Sequence, residues 1–138
     1  MACNKKEGNQ FEADFCELLA AKGYWAHRIN ESKTGKQPAD IFAVKDNKPF
    51  LIDCKLCHSD GFDLNRIEPN QLSAMSLWYN KGNNNALFVI KTPNGLIRVM
   101  TYQTAAHLMR TSASNSIDKE HLFDITLPYE EYFNEFDY

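Results

Sequence analysis

Hydrophobic residues follow two spacings along this chain, one typical of helices and one typical of strands. Over residues 8–22, Phe11, Phe15, Leu18 and Leu19 recur at intervals of three and four, which predicts an amphipathic helix. The predicted elements are a helix over 8–22, strands over 24–29, 40–44 and 50–56, a helix from 69 or 70 to 79, strands over 86–90 and 96–101, and a helix over 103–110. This order predicts an α/β (α+β) fold in which a central mixed sheet of about five strands is flanked by helices.

Chemically reactive side chains collect in the second and third predicted strands. The turn signal Asp46-Asn47 separates these strands and predicts that they pair as a hairpin. Residues i and i+2 of a strand point to the same face, so the side chains of Asp53 and Lys55 project together. Asp40, at the start of the partner strand, can reach the same place.

Two carboxylates beside one ammonium group suit metal-assisted hydrolysis. Asp40 and Asp53 would hold Mg²⁺, which prefers oxygen ligands, and the metal would polarise a phosphate oxygen and acidify a bound water. Lys55 would orient that water or stabilise negative charge in the transition state. The alternative is a structural Asp53–Lys55 ion pair at a sheet edge, because an Asp-x-Lys triplet alone occurs often by chance.

Short motifs around these strands resemble those of the PD-(D/E)XK nuclease superfamily. Residues 8–12 resemble the first-helix motif whose glutamate, here Glu12, belongs to a metal site, and Pro38-Ala39-Asp40 matches the P-D element with Ala inserted. Asp53-Cys54-Lys55 matches (D/E)-x-K, and Gln71 opens a helix before an apolar strand, as in many members. Within the superfamily, the chain is most similar to Holliday-junction resolvases, including the RecU-like branch.

The resemblance implies a restriction-endonuclease-like core, dependence on Mg²⁺ or Mn²⁺, and hydrolysis of DNA phosphodiester bonds. It also implies a homodimer that acts on four-way junctions in DNA recombination and repair, without a small-molecule cofactor. The implied catalytic set is Glu12, Asp40, Asp53, Lys55 and Gln71, of which Glu12, Asp40 and Asp53 would bind the metal. Glu12 is alternatively a solvated helix residue, with Glu17 as the fallback ligand, and Gln71 is alternatively an ordinary polar residue in a first helical turn.

Basic and hydroxyl side chains before Asp40 form a candidate contact with nucleic acid. They are Arg28, Ser32, Lys33, Thr34 and Lys36. Positive charge and hydrogen-bond donors at these positions would bind the DNA backbone. The alternative is an ordinary solvated loop, and the sequence favours neither interpretation.

Charge is divided unevenly along the chain, whose formal net charge is −3. Residues 1–117 contain 14 Lys and Arg against 11 Asp and Glu, whereas residues 118–138 contain one Lys and seven acids. We therefore predict a nuclease domain over 1–117 and an acidic, aromatic C-terminal tail over 118–138 that packs on the domain or on a partner. The net charge neither supports nor excludes DNA binding, because it ignores bound cations.

The spacing of the cysteines and the length of the apolar runs bear on two questions: whether the chain has a zinc or redox site, and whether it has a membrane span or a signal peptide. Cys54 and Cys57 form a C-x-x-C pair, but no second pair lies at zinc-ligand spacing and Cys54 falls inside a strand pattern. We therefore expect two small apolar fillers and not a zinc or redox site. The sequence shows no apolar run of membrane-span length and no signal-peptide core, so we expect a cytoplasmic protein that does not bind membranes.

Two other kinds of function are compatible with the same motifs. A nuclease-fold protein can bind nucleic acid or a protein without cutting, although the complete acid–acid–Lys set argues against loss of catalysis. A nuclease of other DNA or RNA substrates is also compatible, because no short sequence motif specifies which bases a protein recognises. The leading hypothesis is an Mg²⁺-dependent endodeoxyribonuclease that acts on branched DNA.

Overall fold

The computed structural model describes residues 5–29 and 37–134 of the 138-residue chain. Its helices are α1 (Lys5–Ala21), α2 (Pro69–Asn80), α3 (Tyr102–Thr111), α4 (Lys119–Asp124) and α5 (Tyr129–Asn134). Its strands are β1 (Trp25–Arg28), β2 (Ile41–Lys45), β3 (Lys48–Leu56), β4 (Phe62–Asp63), β5 (Ala86–Lys91), β6 (Ile97–Thr101), β7 (Ser116–Ile117) and β8 (Leu127–Pro128), with a 3-10 turn at Leu64–Arg66. None of these helices is long and apolar enough to cross a lipid bilayer. The predicted order of helix, three strands, helix, two strands and helix is confirmed by α1, β1 to β3, α2, β5, β6 and α3, to which the structure adds the two-residue β4.

Six strands form a mixed central sheet in the order β1-β2-β3-β5-β6-β8. Strands β3 and β5 are parallel and are joined through α2, as parallel neighbours require a crossover connection. The other neighbouring pairs are antiparallel. The predicted mixed sheet flanked by helices is confirmed, with six strands in place of about five. The extra strand, β8, has only two residues, too few to show a periodic pattern.

The β2–β3 hairpin sets the position of the reactive side chains. Both residues of its Asp46-Asn47 turn have positive φ angles, 50° and 67°. Two-residue hairpin turns favour this conformation because it matches the twist of the strands, and Asn and Asp tolerate it. The resulting register pairs Ile41 with Ile52. Asp40 therefore lies beside Asp53.

The sheet separates two apolar cores. One core lies under α1 and α5 and contains the fully buried rings of Phe15 and Phe133. The other lies under α2, α3 and α4 and contains Met75. Strand β3 contributes to both, because alternate residues of a strand point to opposite faces. Ile52 enters the first core and Leu51 the second.

The acidic C-terminal segment packs on the rest of the fold over its described part, residues 118–134. Strand β8 pairs with β6. Helix α5 places Phe133 against the rings of Phe15, Tyr24 and Phe50, at centroid distances of 5.9, 5.6 and 5.8 Å. Residues before and after position 117 therefore contribute to the same sheet and the same core. The domain boundary expected at that position stays a prediction.

The connection between β3 and α2 differs from the polar loop expected over 58–68. Phe62 and Leu64 are buried there, and β4 pairs with β7. Gly61 has a φ of +85°, and a Cβ at this position would lie 2.3 Å from the carbonyl oxygen of Ile117. Only glycine fits this close approach. These two-residue strands depend on a remote partner, so local periodicity does not predict them.

We predict that Phe133→Ala lowers the free energy of unfolding by about 3–5 kcal/mol, because it removes a fully buried ring and leaves a cavity. Urea unfolding of the full chain measures the change. The control is Glu131→Ala, an exposed position on the same helix, for which we expect a change below about 0.5 kcal/mol. A loss below about 1 kcal/mol for Phe133→Ala would show that α5 does not belong to the folded core.

Candidate active site

Asp53 and Lys55 lie next to each other on one face of β3, as their spacing predicts. Lys55 Nζ is 2.9 Å from Asp53 Oδ2. Asp53 is fully buried, and Lys55 is 8% exposed. A buried charge needs neighbours that replace water, so the groups around this ion pair determine what it can do.

The side-chain amide of Gln71 connects α2 to this ion pair. Its Nε2 donates a 2.8 Å hydrogen bond to Asp53 Oδ1, and its Oε1 accepts a 3.0 Å bond from Lys55 Nζ. The same Oε1 accepts a bond from the backbone N–H of Glu68 at 3.2 Å, which caps the first turn of α2. Gln71 is therefore both a residue of the first helical turn and a partner of the predicted catalytic pair.

Asp40 reaches the same place from the edge of β2. The residue is 9% exposed, and its Oδ2 accepts a 2.8 Å hydrogen bond from the backbone N–H of Cys54. The backbone N–H of Asp40 donates to the carbonyl oxygen of Ile52 at 3.0 Å, which fixes the residue against β3. Two carboxyl groups, one ammonium and one amide therefore lie together.

The two carboxyl groups interact strongly enough to change the ionisation of Asp53. Burial raises the pKa of Asp53 to about 8; the Lys55 ammonium acts against this shift, and the charge and hydrogen bonding of Asp40 add to it. Asp53 Oδ2 has the ammonium as an ionic neighbour but accepts no well-aligned hydrogen bond from a described residue. A divalent cation would replace the proton and satisfy this oxygen. The donor set therefore fits a metal ion that prefers oxygen ligands.

Glu12, the third predicted metal ligand, has a different partner. It belongs to α1, which packs on the opposite face of the sheet from α2, and its Oε1 is 3.1 Å from Arg28 Nη2. The fallback ligand, Glu17, is exposed. Within residues 5–29 and 37–134, no group of three His, Cys, Asp or Glu side chains is close enough to hold a metal ion. The structure thus brings Asp40 and Asp53 together without Glu12, and a three-ligand site stays a prediction.

Arg28 is the predicted nucleic-acid contact that falls within the described residues. The other four, Ser32, Lys33, Thr34 and Lys36, lie outside them. The Arg28 side chain is 40% exposed and also contacts Asn9 Oδ1 at 3.4 Å. It borders an open groove of about 590 Å³ that Lys5 and Asn9 help to line. Lys5 carries no motif and Asn9 lies within the first-helix motif of residues 8–12; their helical spacing relative to Glu12 is the signal that would have identified both.

Cys54 and Cys57 lie on opposite faces of the sheet, as expected for two fillers. Cys54 packs on the core under α1, whereas Cys57 is buried in the core under α2. Burial raises the pKa of the Cys54 thiol well above its ordinary value, which keeps the thiol protonated and makes it a poor metal ligand. Cys57 Sγ also accepts a 3.4 Å hydrogen bond from Arg66 Nη1, and the expectation of two apolar fillers stays a prediction.

Comparison with solved structures identifies a similar fold. One match is a protein from Archaeoglobus fulgidus, described as Hjc, a Holliday junction resolvase from an archaeal hyperthermophile. The TM-score is 0.69 at 21% sequence identity, and the match covers 91% of this chain and 98% of that one. At this identity the likeness shows a shared fold.

Comparison of the sequence itself identifies a family. No curated protein matches significantly. The profile of the family described as archaeal Holliday junction resolvase (Hjc) matches residues 3–135, nearly the whole chain, and confirms the resemblance to resolvases of the PD-(D/E)XK superfamily. This protein therefore belongs to the archaeal Holliday junction resolvase (Hjc) family.

Proposed function

We propose that this chain is a metal-dependent endonuclease that hydrolyses phosphodiester bonds in four-way DNA junctions. The observation that supports the proposal most strongly is the buried Asp53–Lys55–Gln71 network beside Asp40, in a member of a resolvase family. A purely structural ion pair would not need a second carboxyl group, which disfavours ionisation of Asp53. Such a costly arrangement is typical of a functional site.

Asp40 and Asp53 would hold the divalent ion, Mg²⁺ or Mn²⁺, through their carboxylate oxygens. Both ions suit these ligands. When bound, such an ion polarises a phosphate oxygen and lowers the pKa of a coordinated water. Glu12 is the third ligand in this proposal, and its ion pair with Arg28 would have to open before it could join the other two.

Lys55 and Gln71 would position the reacting phosphate. An ammonium group has three N–H donors; that of Lys55 donates to Gln71 Oε1 and makes an ion pair with Asp53 Oδ2. A remaining N–H would donate to a phosphate oxygen or to the attacking water. Because Lys55 is only 8% exposed, water screens its charge weakly, and this charge can stabilise the negative charge that develops during hydrolysis.

Arg28 would bind the DNA backbone next to this site. Its guanidinium is partly exposed and is held at the edge of the groove by Asn9 and Glu12. Ser32, Lys33, Thr34 and Lys36, which lie outside the described residues, stay predicted DNA contacts. The cytoplasmic location expected from the sequence stays a prediction.

We also propose that the chain forms a homodimer through an apolar patch on α2 and α3. Tyr79 and Met109 are 37% and 43% exposed, and the rings of Tyr79 and Tyr102 lie 5.7 Å apart. Exposed apolar side chains on two neighbouring helices suit a protein interface. A two-fold dimer would present two identical sites to a symmetric junction.

We predict that the wild-type protein cuts a labelled four-way junction in Mg²⁺ or Mn²⁺ but not in EDTA. Asp53→Asn should lower the cleavage rate about a hundredfold or more, because it removes a metal ligand and the charge partner of Lys55. Asp124→Asn, at an exposed position on α4, is the matched control and should cut like wild type. If folded wild type cut neither junctions, duplexes nor single strands, the result would favour the non-catalytic binding module.

In the metal-free protein, we predict that Asp53→Asn raises stability and that the gain grows with pH. The pKa of Asp53 is about 8 in the folded protein against an ordinary value of 3.8, so folding favours the protonated carboxyl. The corresponding stability is fully present below about pH 4 and is lost as pH rises to about 8, by at most about 1.4 kcal/mol per pH unit. Unfolding midpoints in EDTA at several pH values measure the difference.

Two comparisons sharpen this stability experiment. Asp124→Asn should show no pH-dependent gain, because that carboxyl is exposed. Added Mg²⁺ should raise the wild-type midpoint more than that of Asp53→Asn, because a ligand that binds only the folded state stabilises it. A difference between wild type and Asp53→Asn that did not change with pH would contradict the raised pKa.

For the homodimer, we predict that the wild-type protein sediments with twice the 15.9 kDa mass of the chain and that Met109→Glu sediments as a monomer. Met109 is exposed in the single chain, so the substitution should leave the thermal midpoint unchanged. Leu96→Glu, at a 45% exposed position before β6, is the control and should stay dimeric. A dimeric Met109→Glu would place the interface elsewhere, and a monomeric wild type would remove the dimer.

A further inference from the structure

An aromatic surface lies at the open edge of the central sheet and has no part in the proposed hydrolysis. Trp25, on the edge strand β1, is 59% exposed. Its ring stacks on that of His27, with 5.5 Å between centroids and 8° between planes. Phe42, on β2, meets Trp25 edge to face at 6.3 Å. We name Trp25, His27 and Phe42 the aromatic shelf.

The aromatic shelf and the candidate active site share one face of the sheet. Directly paired residues of antiparallel strands lie on the same face. His27 pairs with Phe42, and Phe42 pairs with Leu51. Alternation along β3 then places Asp53 on this face as well. The shelf therefore lies on the same sheet face as the reactive groups, and its inner residue Phe42 also packs edge to face on Trp78 of α2, at 5.6 Å between centroids.

Only a short distance along the strands separates the aromatic shelf from Asp40. At about 3.3 Å per residue, Phe42 lies about 7 Å from Asp40 along β2. Val44, which pairs with Trp25, lies about 13 Å from Asp40. A DNA strand with one phosphate at the active site would thus pass Trp25 within a few nucleotides, since successive phosphates of a stacked strand are about 3.4 Å apart along the axis.

We propose that the aromatic shelf stacks on a nucleobase whose face is uncovered at the branch point of a DNA junction. This inference rests on the proposed function and adds a physical basis for preferring branched over linear DNA. Inside a linear duplex, neighbouring base pairs cover both faces of each base, whereas a branch point interrupts the stack. An indole backed by a parallel imidazole offers the uncovered base a flat apolar surface.

The residues around the aromatic shelf favour a nucleic acid over a protein as its partner. The shelf face of strands β1 and β2 carries no acidic side chain, whereas Arg28 and Lys45 alternate to the opposite face, where Arg28 pairs with Glu12 and Lys45 donates to the carbonyl oxygen of Lys22. Trp25 is the one strongly exposed large apolar side chain on these two strands, whereas a protein interface usually has a wider apolar centre. Exposed aromatic rings are the side chains on which proteins stack unstacked bases.

Binding of fluorescent four-way junctions and of linear duplexes with the same arm sequences tests the proposal. Anisotropy measured in EDTA separates binding from cleavage. We expect Trp25→Ala to weaken junction binding about tenfold and duplex binding less than about twofold. Trp25→Phe keeps an aromatic face and should retain most of the junction affinity. Leu96→Ala, which trims an exposed apolar side chain on a remote turn, should bind like wild type.

A fluorescent base provides a direct readout of stacking. A 2-aminopurine at the branch point should change its emission when wild type binds and should change much less with Trp25→Ala. The same base placed in the middle of an arm should show no difference between the two proteins. A general loss of fold or charge would not produce this dependence on position.

Several results would overturn the proposal. Equal losses on junction and duplex would make Trp25 a general DNA contact, and unchanged junction binding would remove the aromatic shelf from recognition. A change in sedimenting mass with Trp25→Ala would identify a second copy of the chain as the occupant. If wild type cut junctions while Trp25→Ala bound them normally, the result would support the nuclease proposal and reject the proposal that the aromatic shelf recognises the branch point. A wild type that bound junctions and duplexes equally would overturn the aromatic-shelf proposal, whereas the nuclease proposal would still be decided by the cleavage assay.

Discussion

The buried carboxyl group of Asp53 constrains the whole centre of this molecule. The side chain has no contact with solvent, and Lys55, Gln71 and Asp40 are the groups that surround it. They come from β3, α2 and the start of β2, so the hairpin and the crossover helix must both be in place before the carboxyl has its partners. Even then, the second acid makes the metal-free arrangement costly, which is expected where binding a cation has been favoured over stability.

The two faces of the sheet have different roles: one face packs an aromatic core, and the other carries the reactive side chains. Under α1 and α5 the core is rich in aromatic rings, among them Phe15, Tyr24 and Phe133, which contact one another. The acids, the lysine and the aromatic shelf occupy the other face. The aromatic core packs tightly against one face of β3 and therefore holds the strand in position. The polar cluster on the other face can then be buried without displacing β3.

The features that sequence predicts best are those that depend on neighbouring residues. The spacing of Asp53 and Lys55 and the Asp46-Asn47 turn predict a shared face and a hairpin, because both follow from backbone geometry. The orientation of Glu12 depends on Arg28, which is 16 residues away. No local pattern encodes that choice of partner, and the predicted set of three metal ligands is only partly assembled for this reason.

Short elements and exposure are the parts of the fold that sequence predicts least. Strands β4, β7 and β8 have two residues each and exist because a partner is present elsewhere in the chain. The apolar residues of 58–68 are too few to show a period. The stacking of Trp25 on His27 follows from their spacing, but its exposure follows from the position of β1 at the edge of the sheet.

The amide of Gln71 also affects how the molecule opens. Helices fray from their ends, and here the first turn of α2 is capped by the same oxygen that accepts a bond from Lys55. If that turn unwound, the ammonium would lose an acceptor and the carboxyl of Asp53 would lose a donor in the same event. Local unwinding of one helical turn would therefore remove both Gln71 contacts without any domain motion, whereas Asp40, Asp53 and Lys55 would keep their positions at the β2–β3 hairpin.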